Sequence, residues 1–225
     1  MKQALDYAKY FIKNGFDAIN CIPNTKDGNM KINKLCVFAN MISIAEYNTP
    51  LFNDEILAFE NGCVIENIRL AYRNNYHSLL TQCRNSHVIF STIEQEIIMI
   101  TTKIFGALTA KELSEIQHQF SFWQNSYEHG TNTQGKHNKA NSIITSQQIA
   151  QENEKIKIMI DTFRENQKLN NHSLIINGIK FIYNPNEIRL NKNILAQLRE
   201  VTSYDDAKEE GVFSIYLENG ELVIS

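Results

Sequence analysis

The chain has 225 residues, of which 43% are hydrophobic, and a formal net charge of -3. This length allows one large domain, or one medium and one small domain, with a buried core. The charge balance argues against a dedicated nucleic-acid binder, which usually carries a basic patch. No apolar run approaches the roughly 20 residues of a membrane helix, and the acidic, weakly apolar start is not a signal peptide. We therefore expect a cytoplasmic protein that does not interact with membranes.

Six segments show the apolar spacing of amphipathic helices. In chain order their apolar positions are Leu5, Ala8, Phe11 and Ile12; Ile32, Leu35, Ala39 and Ile42; Val64, Ile65, Ile68, Ala71 and Tyr72; Ile93, Ile97, Ile100 and Ile104; Leu113, Ile116 and Phe120; and Ile149, Ile156, Ile160 and Phe163. Ser91, Thr109 and Thr145 each precede a Glu or Gln by three residues and predict capping boxes for the last three helices. A short strand or extended arm is expected around 56–59, before the turn at 61–62.

The last fifty residues change character. Two Asn-Gly pairs, at 177–178 and 219–220, each lie between apolar runs, and such pairs favour the tight turn of a β-hairpin. The sequence predicts an α+β protein: a mainly helical domain over residues 1–165 and a small β-hairpin–helix–β-hairpin module over 172–225. Within the first domain, the polar segment 128–142 is expected to be a mobile loop.

No sequence motif for a nucleotide loop, a metalloprotease or a serine hydrolase is present. Cys21, Cys36, Cys63 and Cys83 lack the close pairs of a zinc site and are expected to be reduced and mostly buried. We predict no catalytic residue, no metal and no other cofactor. The alternative is an enzyme that uses Cys63 or His118, but a nucleophile needs a base and an orienting group beside it, and the sequence indicates neither.

Trp123 is the only tryptophan and follows a predicted helix, just before the polar segment. Two interpretations are open. The residue closes the core of the helical domain, or it anchors an interface, where tryptophan is often a binding hot spot. A DNA-binding helix is a further alternative, but the polar face of Gln147, Gln148, Gln151 and Lys155 has no basic patch beside it.

Four segments, in order, resemble a known family. Residues 5–12 resemble the opening of the Panacea domain, the SocA-like antitoxin family that also occurs in phage-associated proteins. Residues 31–39, Lys-Ile-Asn-Lys-Leu-Cys-Val-Phe-Ala, resemble its Lys-Leu-x-Lys-Leu-x-x-Tyr/Phe-Ala motif. Residues 50–72 resemble its Pro-Leu-Phe, Ala-Trp-x-x-Gly-Pro-Val and Tyr-bearing helix. Residues 113–123 resemble its Leu-x-x-Leu-Thr-His and Pro-Trp.

The resemblance covers about residues 4–165. The chain departs from the pattern at four positions, where Phe59 replaces Trp, Cys63 replaces Pro, Gln117 replaces Thr and Phe122 replaces Pro. It is therefore a divergent member, and the tail from His172 onward lies outside the match.

The resemblance implies a helical bacterial antitoxin that neutralises a protein toxin encoded nearby by direct contact. Phe59, Tyr72, His118 and Trp123 are the partner-binding residues that we predict, although Phe59 and Tyr72 have packing of the fold as their alternative role. The alternative function is an adaptor for proteolysis or a transcriptional regulator, acting through protein or DNA. Self-association as a homo-oligomer is a further expectation.

Overall fold

The computed structural model describes residues 2–168, 172–185, 187–218 and 220–225. The chain forms two compact units, Met1–Asp161 and Thr162–Ser225, called here the N-terminal and the C-terminal unit. The N-terminal unit is mainly helical and the C-terminal unit is rich in strands, as the α+β prediction stated. The more specific domain boundaries, 1–165 and 172–225, remain predictions.

Helices and one small sheet build the N-terminal unit. Its helices are α1 (Ala4–Lys13), α2 (Lys26–Tyr47), α3 (Glu66–Asn74), α4 (Tyr76–Arg84), α5 (Thr92–Phe105), α6 (Ala110–His118), α7 (Ser121–Gly130), α8 (Ser146–Ala150) and α9 (Asn153–Lys168), and α9 continues into the C-terminal unit. Its strands are β1 (Ile56–Phe59), β2 (Gly62–Ile65) and β3 (Ile143–Ile144), which lie in the order β2-β1-β3.

Helix α2 is the central element of this unit. Every residue from Lys31 to Ala45 is buried, including polar side chains, because other helices and the small sheet surround it. It begins a turn and a half earlier than the apolar spacing predicted, since the hydroxyl of Thr25 accepts a hydrogen bond from the Gly28 amide and caps the helix. It ends at Asn48, whose φ of 53° is the left-handed conformation of a C-cap.

The predicted extended segment is strand β1, which pairs with β2 through a tight turn at 60–61. Val64 and Ile65, which were predicted to begin a helix, lie in β2, and α3 begins at Glu66. The prediction was wrong at these two positions because a short apolar run fits a buried strand as well as a helix. Strand β3, which pairs with β1 on its other edge, was not predicted.

Three further helices differ from expectation. Helix α4 was not predicted, and the single helix expected after Thr145 is divided into α8 and α9. Trp123 lies inside a helix, α7, rather than after one. The capping boxes of Ser91, Thr109 and Thr145 are all present.

The polar segment after α7 follows a defined path rather than an unstructured one. Thr131 and His137 form an antiparallel bridge, and the Asn138 amide donates a hydrogen bond of 2.7 Å to the Gly130 carbonyl. A 3-10 turn, Lys139–Asn141, then leads into β3. These contacts bring His137 and Lys139 back toward α7 and the end of β1.

The C-terminal unit holds a four-stranded sheet and two helices. Its elements are β4 (His172–Ile176), β5 (Ile179–Tyr183), α10 (Lys192–Val201), α11 (Asp205–Glu210), β6 (Val212–Glu218) and β7 (Glu221–Ile224). Asn177 and Gly178 have φ angles of 50° and 88° and form the first predicted turn. Of the second pair, Gly220 has a φ of 86°, while Asn219 lies outside the described residues.

Strands β5 and β6 run parallel, while the two hairpins are antiparallel. A parallel pair needs a crossover connection, which α10 and α11 provide. The two hairpins therefore share one sheet, and Phe181, Leu198 and Ile215 lie in the core beneath it. This arrangement confirms the hairpin–helix–hairpin prediction.

The four cysteines are free thiols, and all but the half-buried Cys21 are buried, as expected. Within the described ranges, no three His, Cys, Asp or Glu side chains come together as metal ligands. No helix in the same part of the chain is both long and apolar enough to cross a bilayer.

Candidate partner-binding site

Five ring-bearing side chains form a continuous row on the N-terminal unit. His118 stacks on Trp123 with ring centroids 3.8 Å apart, and Trp123 stacks on Tyr127 at 5.4 Å. Tyr127 contacts His137 at 5.4 Å, and His137 contacts Phe59 at 5.3 Å. We call these five residues the aromatic row. All five residues are half-buried.

Hydrogen bonds and helix geometry hold the aromatic row in place. The indole Nε1 of Trp123 donates a bond of 3.0 Å to the backbone carbonyl of Phe59, which links α7 to the end of β1. Trp123 and Tyr127 are four residues apart on α7 and so lie on one face of that helix. The Lys139 ammonium lies 5.8 Å from the Phe59 ring centroid, within cation–π range.

His118 is neutral in the folded protein near pH 7. Burial lowers the pKa of its imidazole, and the nearby positive charge of Lys34 lowers it further. A hydrogen bond with the backbone of Glu60 raises the pKa, but this effect is smaller. Its Nε2 atom is buried and has no hydrogen-bond partner among the described residues. A neutral ring stacked on Trp123 makes this end of the row largely apolar.

Tyr72, the fourth predicted contact residue, lies apart from the aromatic row. It is 1% exposed, and its hydroxyl donates a bond of 2.9 Å to Asp17 Oδ2 and accepts one of 3.1 Å from the Asn24 amide. Asp17 Oδ2 also accepts a 2.6 Å bond from Tyr76. Tyr72 thus joins α3 to the loop before α2, and it cannot reach a partner without rearrangement.

Two lysines of the Lys31–Ala39 motif are buried in α2. Lys31 donates to the carbonyl of Ile19, and Lys34 donates to the carbonyl of Asn61 in the β1–β2 turn. Each lysine therefore ties a loop to the central helix. Burial lowers the pKa of the Lys34 ammonium to about 8. The nearby Cys63 side chain has the opposite, smaller effect of raising this pKa.

The β1–β2 turn is closed by a polar cluster. Gln117 Oε1 accepts hydrogen bonds from the Cys63 amide at 2.9 Å and from Lys34 Nζ at 3.3 Å. Gly62 has a φ of +95°, and a Cβ atom there would lie 2.6 Å from Lys34 Nζ and 2.7 Å from Gln117 Oε1. Glycine is therefore required twice, for the backbone conformation and for the space that the two side chains fill.

Cys63 is poorly suited to be a nucleophile. It is completely buried, and burial raises the pKa of its thiol to about 12 although Lys34 acts against this change. The reactive form of cysteine is the thiolate, and a thiol with this pKa is almost wholly protonated near pH 7. The cysteine that replaces proline here is thus a packing residue of the turn.

A cavity of about 440 Å³ lies beside these elements. It extends between the start of α2, the β1–β2 hairpin and α3, and both Phe59 and Tyr72 line it. Of the four predicted residues, the structure brings Phe59, His118 and Trp123 into the aromatic row, and it places Tyr72 on α3, outside that row.

Sequence reasoning missed two members of the aromatic row. Tyr127 could have been found, since it follows Trp123 by one helical turn. His137 could not, because only the bridge between Thr131 and His137 returns the polar segment to α7.

The N-terminal unit thus carries a half-buried aromatic row that is held by ring stacking and by the Trp123 hydrogen bond. Aromatic side chains are enriched where proteins bind other proteins. Residues 32–124 match the family model described as antitoxin SocA-like, Panacea domain. The predicted resemblance to this family is therefore confirmed for this segment of the chain. Comparisons with curated proteins and with solved structures gave no match.

Proposed function

We propose that this protein is an antitoxin that neutralises a protein toxin by binding it through the aromatic row. The observation that carries the proposal is the match of residues 32–124 to an antitoxin domain, because this segment contains Phe59, His118 and Trp123. An antitoxin of this kind needs a protein partner, and half-buried aromatic side chains are suited to protein contact.

Energetics support the aromatic row as the contact. Tryptophan and tyrosine dominate the free energy of protein interfaces, because they bury much apolar area at a small cost in side-chain entropy. Trp123 and Tyr127 are already held by stacking and by the bond to the Phe59 carbonyl, so binding would restrict them little further. Such preorganisation increases affinity.

The test is co-purification of the tagged protein with the product of its co-transcribed neighbouring gene, followed by titration of that product. We expect Trp123→Ala to weaken binding by about 100-fold or more, the effect of losing a hot-spot residue. Ile89→Ala is the matched control: Ile89 is 86% exposed between α4 and α5, and its truncation should leave affinity unchanged.

A second variant separates the interface from folding. Glu60 is exposed and directly follows Phe59, so Glu60→Arg alters the surface beside the aromatic row without removing a ring. We expect this variant to keep its unfolding temperature and to lose about tenfold in affinity. Unchanged affinity in both Trp123→Ala and Glu60→Arg would exclude the aromatic row, and a neighbouring protein that is neither toxic nor bound would contradict the antitoxin function itself.

The second candidate function is an adaptor that docks through the C-terminal unit. Ile175 and Val212 are 72% and 51% exposed, and both pair with Lys180 in the strand register, so they lie on one face of the sheet. Under this hypothesis the double variant Ile175→Ser and Val212→Ser would abolish binding of the co-purified protein, while Trp123→Ala would leave it intact. The antitoxin proposal predicts the reverse pattern.

A further inference from the structure

The cavity of about 440 Å³ lies within the range of small-molecule sites, which are usually concave, largely apolar and equipped with a few polar groups. Phe59 is the one residue of the aromatic row that also lines the cavity.

Positive charge is the first feature of this cavity. Lys26, Lys34, Arg69 and Arg73 line it, and none of the described lining residues is Asp or Glu. Arg69 is neutralised by Glu66, with atoms 2.6 Å apart. Among the described residues, the other three cations have no carboxylate within 4.0 Å.

Lys34 distinguishes the cavity from an ordinary basic surface. It is 1% exposed, and its ammonium has only neutral partners, the Asn61 carbonyl and Gln117 Oε1. A buried ammonium without a counter-ion is costly, and an anion nearby would compensate for it. Lys26 and Arg73 are exposed, so both can contact an anion that enters the cavity from solvent.

The start of α2 adds to the same field. The N-cap Thr25, Lys26 of the first turn and Asn29 line the cavity, so the positive end of a 22-residue helix borders it. Two nearby carboxylates are already engaged, since Asp17 accepts bonds from Tyr72 and Tyr76, and Glu66 pairs with Lys139 and Arg69. Asp27 also lies in the first turn of α2, but it does not line the cavity.

Apolar side chains supply the remaining walls. Met30, Phe59, Val64 and Tyr72 line the cavity, with one ring from β1 and one from α3. A simple inorganic anion would leave these walls without contact. A ligand that joins an acidic group to a flat apolar body would contact both kinds of surface.

We propose that this cavity binds a small organic anion, with its phosphate or carboxylate toward Lys26 and Arg73 and its apolar or aromatic body between Phe59, Val64 and Tyr72. The site shares Phe59 with the aromatic row, but the proposal does not depend on toxin binding through that row. Its chemistry suits an aromatic phosphate or carboxylate of metabolite size.

Isothermal titration calorimetry of the full chain with 1-naphthyl phosphate tests the proposal. Inorganic phosphate and 1-naphthol, which represent the acidic and the aromatic part of this probe, are titrated separately as controls. We expect saturable binding of one molecule of 1-naphthyl phosphate per chain, and affinity at least tenfold lower for each half. Equal affinity for inorganic phosphate would mean an adventitious ion only, and a dissociation constant weaker than about 10 mM would overturn the proposal outright.

Two variants locate the site. Lys26→Gln with Arg73→Gln should lower the affinity for 1-naphthyl phosphate about tenfold, whereas Lys103→Gln with Lys157→Gln, an equal loss of exposed charge outside the cavity, should not change it. Val64→Phe should weaken binding by filling the apolar part while leaving every charge in place. Equal affinity in the cavity and control double variants, or normal binding to Val64→Phe, would place the anion elsewhere.

Discussion

Helix α2 and the aromatic row use their side chains in opposite ways. In α2, fifteen consecutive residues from Lys31 to Ala45 are buried, and even its lysines and asparagines bond to the protein interior. In the aromatic row, every residue is only half-buried. Both regions lie in the N-terminal unit, and both contain residues on which the family resemblance is based.

The difference separates the scaffold from the proposed contact surface. The Lys31–Ala39 motif is buried throughout and holds loops to the central helix. The residues of the proposed contact surface lie at the ends of β1 and α6, on α7 and in the polar segment that follows α7. If this comparison is right, substitutions in α2 should change the free energy of unfolding, and substitutions in the aromatic row should mainly change affinity.

The largest expected effect is that of Phe38→Ala. Phe38 is completely buried and stacks on Phe105 with ring centroids 4.0 Å apart. Removing a buried phenyl ring costs about 3–5 kcal/mol, because apolar contacts are lost and a cavity remains. Urea unfolding followed by circular dichroism should show this loss, and a loss below about 1 kcal/mol would contradict the central role of α2.

The next effect concerns the charge of Lys34. Its pKa of about 8 in the folded protein lies below the ordinary value of 10.5, so the unfolded chain binds the proton more tightly. The cost of burying the ammonium is then fully present below pH 8 and is relieved as the pH rises from 8 to 10.5. Between pH 7 and 9.5 the wild-type protein should gain about 2 kcal/mol relative to Lys34→Met.

Comparison with Lys34→Met is needed because other groups titrate in the same range. Burial raises the pKa of Cys63 and of Tyr72, which makes the folded protein less stable at alkaline pH in both chains. The difference between the two urea-unfolding curves removes this shared contribution. A difference that does not change with pH would mean that Lys34 keeps its ordinary pKa.

Tyr72→Phe should have a smaller effect on the free energy of unfolding and no effect on the affinity for the toxin. The substitution removes the hydroxyl that bonds Asp17 and the Asn24 amide, at a cost of about 1.5 kcal/mol, the low end of the range for a hydrogen bond to a charged group. Tyr10→Phe is the control, since its ring packs at 5.5 Å from Phe90 and no hydrogen bond of its hydroxyl is found among the described residues. A large loss of toxin affinity in Tyr72→Phe alone would move Tyr72 into the contact surface.

The smallest effect is expected at His118. Because its pKa is lowered in the folded protein, the unfolded chain takes up the proton first as the pH falls below about 6.5, the ordinary value. Stability should therefore decline below this pH and the decline should be weaker in His118→Gln. Thermal unfolding of both chains at pH 7.5 and 5.5 measures the difference, and identical shifts would show that the ring titrates normally.

Much of this architecture followed from local rules. The capping boxes at Ser91, Thr109 and Thr145, the Asn177–Gly178 turn and the mixed fold class were all predictable, since each depends on residues close together in the chain. The order of motifs from Lys31 to Trp123 also sufficed to predict the Panacea resemblance.

Other features depended on distant segments. Val64 and Ile65 form a strand because β1 is there to pair with them, and α4 forms from a segment with little apolar spacing. The sequence marked Phe59, Tyr72, His118 and Trp123 without distinguishing their surroundings. Only the packing of α7 against β1, and of α3 against the loop before α2, separated Tyr72 from the other three.

By itself the sequence determined the family resemblance, the mixed fold class and the main helix ends, because motif order, capping and turn preferences are properties of the linear chain. The tertiary structure alone decided which of those residues face outward and where charge collects without a counter-ion. Burial and the distance between Lys34 and the nearest carboxylate are properties of segments that meet only after folding, and no spacing along the chain encodes them.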